Sequence, residues 1–231
     1  MKFRDNFNLI TSEPDSKLEE NSLLFTVEHF FLLREFIDSK NEEEDILVNC
    51  INTCRIKKGI FMQHPSGLSG DDRYMSHDQL TAIFAFSYYL GLEYHKEIWQ
   101  EIKRQWLRYD NVNPPTKLRK KLFNERLLHP RDIIFYGYCD GGFIFKLLLP
   151  VLIIIMFVSC WSKRTVLAYG APAIKTDGKL LTYIRIRSLR INWLNKFFDW
   201  IIKIRFGCWG NVFKIYFRYS HHPNVINSIL I

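Results

Sequence analysis

The 231-residue sequence predicts an all-α protein with a body of about 8–10 helices, on three grounds. Its apolar residues recur with helical spacing, as in Leu23, Leu24, Val27, Phe30 and Phe31 or Ile98, Ile102 and Trp106. No run of alternating β-branched residues is closed by a hairpin turn, so no sheet of consequence is expected. Start and stop residues also bracket the periodic stretches: Ser76 with Gln79 forms a capping box, and Gly91 closes the helix that it opens.

Residues 1–20 form a polar lead-in broken at Pro14. A helix follows over 22–38, capped by Asn21 or Ser22. The acidic run Glu42–Asp45 opens a second over 43–54, with its charges at the positive helix end. Residues 55–75, punctuated by Gly59, Pro65, Gly67 and Gly70, read as a loop. The helix from Ser76 presents Leu80, Ile83, Phe84, Ser87 and Leu90 on one face. Another over 93–109 is stopped by Asn113-Pro114-Pro115, and shorter helices are expected over 117–124 and 130–138.

Residues 143–161 (FIFKLLLPVLIIIMFVSCW) carry one charge, Lys146. A bilayer-spanning helix needs roughly 20 apolar residues. Lys146 can snorkel to the interface, Trp161 suits the opposite boundary, and Ser162-Lys163-Arg164 supplies a charged stop. The segment is therefore expected either as a transmembrane helix kinked at Pro150, or as the central helix of the core, ringed by Trp193, Phe197 and Trp200. Basic, aromatic helices then run over 177–190, 192–206 and 211–219.

Hydrophobic residues make up 48% and aromatics 16% of the chain, which excludes a disordered protein. The net charge of +8 is unevenly placed. Residues 1–141 carry 19 Lys and Arg against 22 Asp and Glu, a net of −3, whereas 142–231 carry 13 against 2, a net of +11. Three units are expected: an acidic-to-neutral helical domain over 1–142, the apolar helix, and a basic tail over 162–231. The tail suits a surface of phosphates. Membrane lipid is the leading partner, met by Lys163, Arg164, Arg185, Arg187, Arg190, Lys203 and Arg205. Single-stranded nucleic acid, stacked on the aromatics, is the second.

Cys50, Cys54, Cys139, Cys160 and Cys208 are odd in number and scattered, with no secretory signal before them, so reduced thiols are expected. Cys50 and Cys54 lack the further ligands of a structural zinc site. No phosphate loop, dinucleotide fingerprint or nucleophile elbow is present, and no cofactor is expected. The best polar cluster surrounds the start of the helix near residue 76: Asp72, His77 and Asp78, joined by His29 if the helices close a pocket around it, are candidates for acid–base catalysis.

Glu20-Asn21-Ser22-Leu23-Leu24-Phe25-Thr26-Val27-Glu28 and Ser76-His77-Asp78-Gln79-Leu80-Thr81, with Asp177-Gly178-Lys179-Leu180-Leu181 and His222-Pro223-Asn224, resemble motifs of a set of phage-encoded helical proteins of no established activity. That resemblance implies a viral origin and an all-helical body. The helix order is also similar to that of helical toroid enzymes that act on glycans. Two function classes follow. One is a non-enzymatic phage accessory protein associated with the host membrane. The other is a soluble helical hydrolase or lyase acting on a glycan, in the cytoplasm or virion.

Overall fold

The computed structural model describes residues 4–11, 22–36, 42–62, 64–66, 77–107, 130–161 and 177–209. The helices expected over 117–124 and 211–219, the loop residues 67–75 and the pair Lys163 and Arg164 lie outside them. The described chain is helical: α1 (Ser22–Phe36), α2 (Glu42–Cys54), α3 (His77–Leu90), α4 (Tyr94–Leu107), α5 (Pro130–Asp140), α6 (Phe143–Leu147), α7 (Leu149–Trp161), α8 (Asp177–Ser188) and α9 (Asn192–Phe206).

Helix α3 is the central element. It packs against α1, α4, α5 and α8, and every residue from Gln79 to Ser87 is buried. Its sequence is apolar on nearly all sides, the signature of a helix surrounded by others. At its end Gly91 turns the chain at φ +74°, a conformation suited to glycine. Ser87 donates its hydroxyl to the Leu92 carbonyl at 2.8 Å and accepts from the His95 N–H at 2.9 Å, which fixes where α4 begins. The lead-in is held just as firmly. The N–H of Ile10 donates to Thr26 Oγ1 at 2.8 Å, and Leu9 and Ile10 are buried against the core.

A short antiparallel hairpin, β1 (Arg55–Lys57) and β2 (Ile60–Phe61), occupies the start of the expected loop. Lys58 and Gly59 form its turn, with Gly59 at φ +73° and so close to the Glu97 carbonyl that a Cβ would overlap it. Glycine here marks a tight hairpin turn against α4 rather than loose chain.

The apolar segment 143–161 is not one continuous helix, and it is not the centre of the core. It is broken at Leu148, whose N–H bonds to the Phe145 carbonyl at 3.1 Å in a tightened turn. Pro150 accounts for the break: it has no N–H to offer the Lys146 carbonyl, and its ring crowds that group. The remaining helix, α7, has 13 residues and is about 20 Å long, against a hydrocarbon core of about 30 Å. Among the described residues no helix is long and apolar enough to cross a membrane. Only Leu152, Met156 and Cys160 of α7 are buried, and Trp193, Phe197 and Trp200 lie exposed instead of ringing it. The short α6 is pressed onto α5 by Phe145, which lies so close to Gly137 that any side chain there would overlap its ring.

Buried residues on both sides of residue 142 belong to one hydrophobic cluster. Helix α8 provides most of the connection. Leu181 to Ile186 are all buried because α3, α1, α7 and α9 cover them. Arg185, expected at a lipid surface, is 1% exposed and pairs with the equally buried Asp132 of α5. The sequence shows its charge but not the partner 53 positions away.

Candidate functional site

Thirteen large apolar side chains are exposed among the described residues, and eleven of them lie on α6, α7 and α9. On α6 and α7 they are Phe143, Ile144, Leu147, Val151, Ile154, Val158 and Trp161, with Phe143 at 74% and Ile154 at 61%. On α9 they are Trp193, Phe197, Trp200 and Ile204, spaced four, three and four residues apart along one stripe. The buried residues of α9, Leu194, Phe198, Ile201 and Ile202, form the opposite stripe against the core. Both faces of this helix are thus apolar, and only one is covered. Helices α7 and α9 touch, and the Arg205 guanidinium lies 5.4 Å over the Trp161 ring at their C-terminal ends.

Cations edge these rows. Lys146, Lys196 and Lys203 are exposed, and Arg205 is half-buried. Helices α6, α7 and α9 contain a single acid, Asp199, which is taken up by Arg187 and by the Trp209 indole N–H, each at 2.7 Å. Of the cations expected to meet lipid, Lys203 and Arg205 sit beside the apolar rows, Arg187 is drawn back onto Asp199, and Arg190 lies in the turn between α8 and α9.

The expected catalytic residues fall differently. Asp72 lies outside the described residues, and His77 is the first residue of α3. Asp78 is half-buried and acts electrostatically on Arg131 and Tyr136 of α5. His29 is 1% exposed, with Nδ1 3.2 Å from Glu43 Oε1. Burial alone would raise the Glu43 carboxyl, but hydrogen bonds with His29 and Arg4 outweigh it and hold the group at about 2. Asp78 and His29 thus meet different partners on different elements.

Two more histidines sit on carboxylates that sequence reading did not pair with them. His64 Nε2 lies 2.7 Å from Asp5 Oδ2, and His95 Nδ1 lies 2.7 Å from Asp140 Oδ2. The His64–Asp5 partners are 59 residues apart, a separation that leaves no local signal. Burial acts to raise Asp5, while the His64 ring and the Leu9 and Phe7 N–H groups bond its carboxylate and bring it below the ordinary value. These buried pairs fasten the lead-in and α5 to the body. A catalytic acid or base must reach its substrate, and His29, His64 and His95 are each at most 5% exposed.

The thiols of Cys50 and Cys54 are buried, and burial pushes Cys50 up to about 12. Among the described residues no three His, Cys, Asp or Glu side chains come together as a metal site. No protein-family model, curated protein or solved structure matches the chain.

Proposed function

We propose that this protein is a non-enzymatic phage accessory protein that works on the surface of a host membrane, lying on the bilayer through α6, α7 and α9 without spanning it. The observation that carries this reading is the concentration of exposed apolar side chains on those three helices, edged by lysines. Interfacial helices combine an apolar face with a basic border in this way, and tryptophan favours the headgroup boundary. Each large side chain moved out of water contributes ~1.5–3 kcal/mol, and each lysine near an anionic surface about 1 kcal/mol. The viral origin rests on the resemblance of residues 20–28 and 76–81.

Flotation of the purified chain with vesicles tests it. Binding to phosphatidylserine-containing vesicles is expected, with weaker binding to phosphatidylcholine alone and at high salt. The double substitution Ile154→Ser, Trp200→Ser is expected to weaken binding at least about tenfold, because two outward apolar groups are lost. A native chain that stays with the aqueous fraction at low salt, or one whose apolar rows are covered by self-association in solution, overturns the proposal.

A further inference from the structure

We propose that the pocket between α1, α3 and the α8–α9 turn binds a phosphomonoester carried on a polyol, such as a sugar phosphate or an inositol phosphate headgroup. The pocket has a volume of about 400 Å³, within the usual range for small-molecule sites. Arg34, Arg187 and Arg190 enter it from three different elements, and no acidic residue lines it. Each guanidinium rests on an aromatic ring: Arg34 on Phe30 at 5.6 Å, Arg187 on Tyr183 at 5.2 Å, and Arg190 on Tyr89 at 5.0 Å. Stacking occupies the flat faces and leaves the N–H edges for hydrogen bonds.

Two of the arginines are steadied by acids outside the pocket, Arg34 by Glu44 and Arg187 by Asp199, each at 2.7 Å. Arg190 meets no carboxylate among the described residues. Its contacts are the Tyr89 ring and a long 3.5 Å bond to the Tyr89 carbonyl. It is also held at φ +54°, in the left-handed region that a long side chain rarely enters. Three guanidinium groups lining one pocket from separate elements suit the three oxygens of a phosphomonoester, whereas a carboxylate offers two.

The polyol follows from the neutral side of the pocket, where Asn192 and Asn195 lie. Asn195 Oδ1 is buried with no hydrogen-bond partner among the described residues, and a buried acceptor left in that state calls for a donor. A ligand hydroxyl supplies one. Phe31 and Tyr89, in edge contact at 5.1 Å, form the apolar wall beside it.

Calorimetry on the full chain with inorganic phosphate, myo-inositol and inositol trisphosphate tests the proposal. Inositol trisphosphate is expected to bind at least about tenfold more tightly than inorganic phosphate, with no detectable binding of myo-inositol. Arg190→Gly is the discriminating variant. Glycine suits the positive φ, so its thermal midpoint should match or exceed the native one while affinity falls about tenfold or more. Asn195→Ala is expected to weaken inositol trisphosphate and spare inorganic phosphate. Tighter binding to vesicles bearing phosphatidylinositol phosphate than to the free headgroup identifies a lipid source, and equal affinity identifies a soluble one. Unchanged affinity in Arg190→Gly, inositol trisphosphate no better than phosphate, or no binding in solution or on vesicles overturns the site. Trp200→Ser should spare the soluble binding, so failure of the membrane surface and failure of the pocket are separable.

Discussion

Arg185 and Asp132 form an ion pair sealed inside the protein, their side chains 2% and 0% exposed, tying α8 to α5. The Arg185 guanidinium also lies 5.9 Å over the buried Phe135 ring. Removing Asp132 strands the buried Arg185 charge, and removing Arg185 leaves Asp132 to the more distant Arg131, at 3.8 Å. Asp132→Ala and Arg185→Ala are each expected to cost ~3–5 kcal/mol in urea unfolding. The double variant Asp132→Leu, Arg185→Met is expected to recover most of that loss, because it leaves no uncompensated charge. A double variant as unstable as the singles would contradict this account.

Glu43 makes stability depend on acid. Its folded carboxyl stands at about 2 against an ordinary value of 4.5. A depressed carboxyl contributes stability in full above its unfolded value and loses it as pH falls toward the folded one. The loss therefore runs from about pH 4.5 down to about pH 2, on the order of 3 kcal/mol. Asp5, also held below its ordinary value, adds in the same direction. Glu43→Gln is expected to flatten the decline in thermal midpoint over that window, at the expense of a lower midpoint near neutrality.

Helix α7 is buried on one side only, and two neighbouring substitutions read this out. Met156 is 2% exposed and Ile154 is 61% exposed. Met156→Ala is expected to cost ~2–5 kcal/mol through lost packing, whereas Ile154→Ser should stay within about 0.5 kcal/mol. Equal costs in denaturant unfolding would mean that both faces are covered.

Thiol labelling gives a further check. Cys208 is exposed, Cys50, Cys54 and Cys160 are buried, and burial holds the Cys139 thiol well above its ordinary value. Reactivity needs an accessible thiolate. Iodoacetamide at neutral pH is expected to modify Cys208 rapidly and the other four only after unfolding, as peptide mass mapping would show.

Much of the helical order was legible in the sequence, because apolar spacing and end signals are local. Gly91 stops α3 where its sequence says it should, and Pro130 opens α5 as its first residue. The hairpin at 55–61 was not legible, since the role of Gly59 depends on the approach of the Glu97 carbonyl from α4. The candidate site was less legible still. Asp72 lies outside the described residues, and Asp78 and His29 were grouped only by their chemistry.

By itself, the sequence determined an all-helical body with a basic rear half and a very apolar stretch over 143–161. Composition and periodicity settle such things, because they do not depend on which elements meet. Which apolar helix occupies the centre was decided by tertiary packing. Pro150 breaks the apolar stretch, α3 is covered by four neighbouring helices, and α7 is covered on one face. Packing likewise drew Arg185 inside, since a buried charge is tolerated when a carboxylate meets it, and Asp132 is supplied by a different helix.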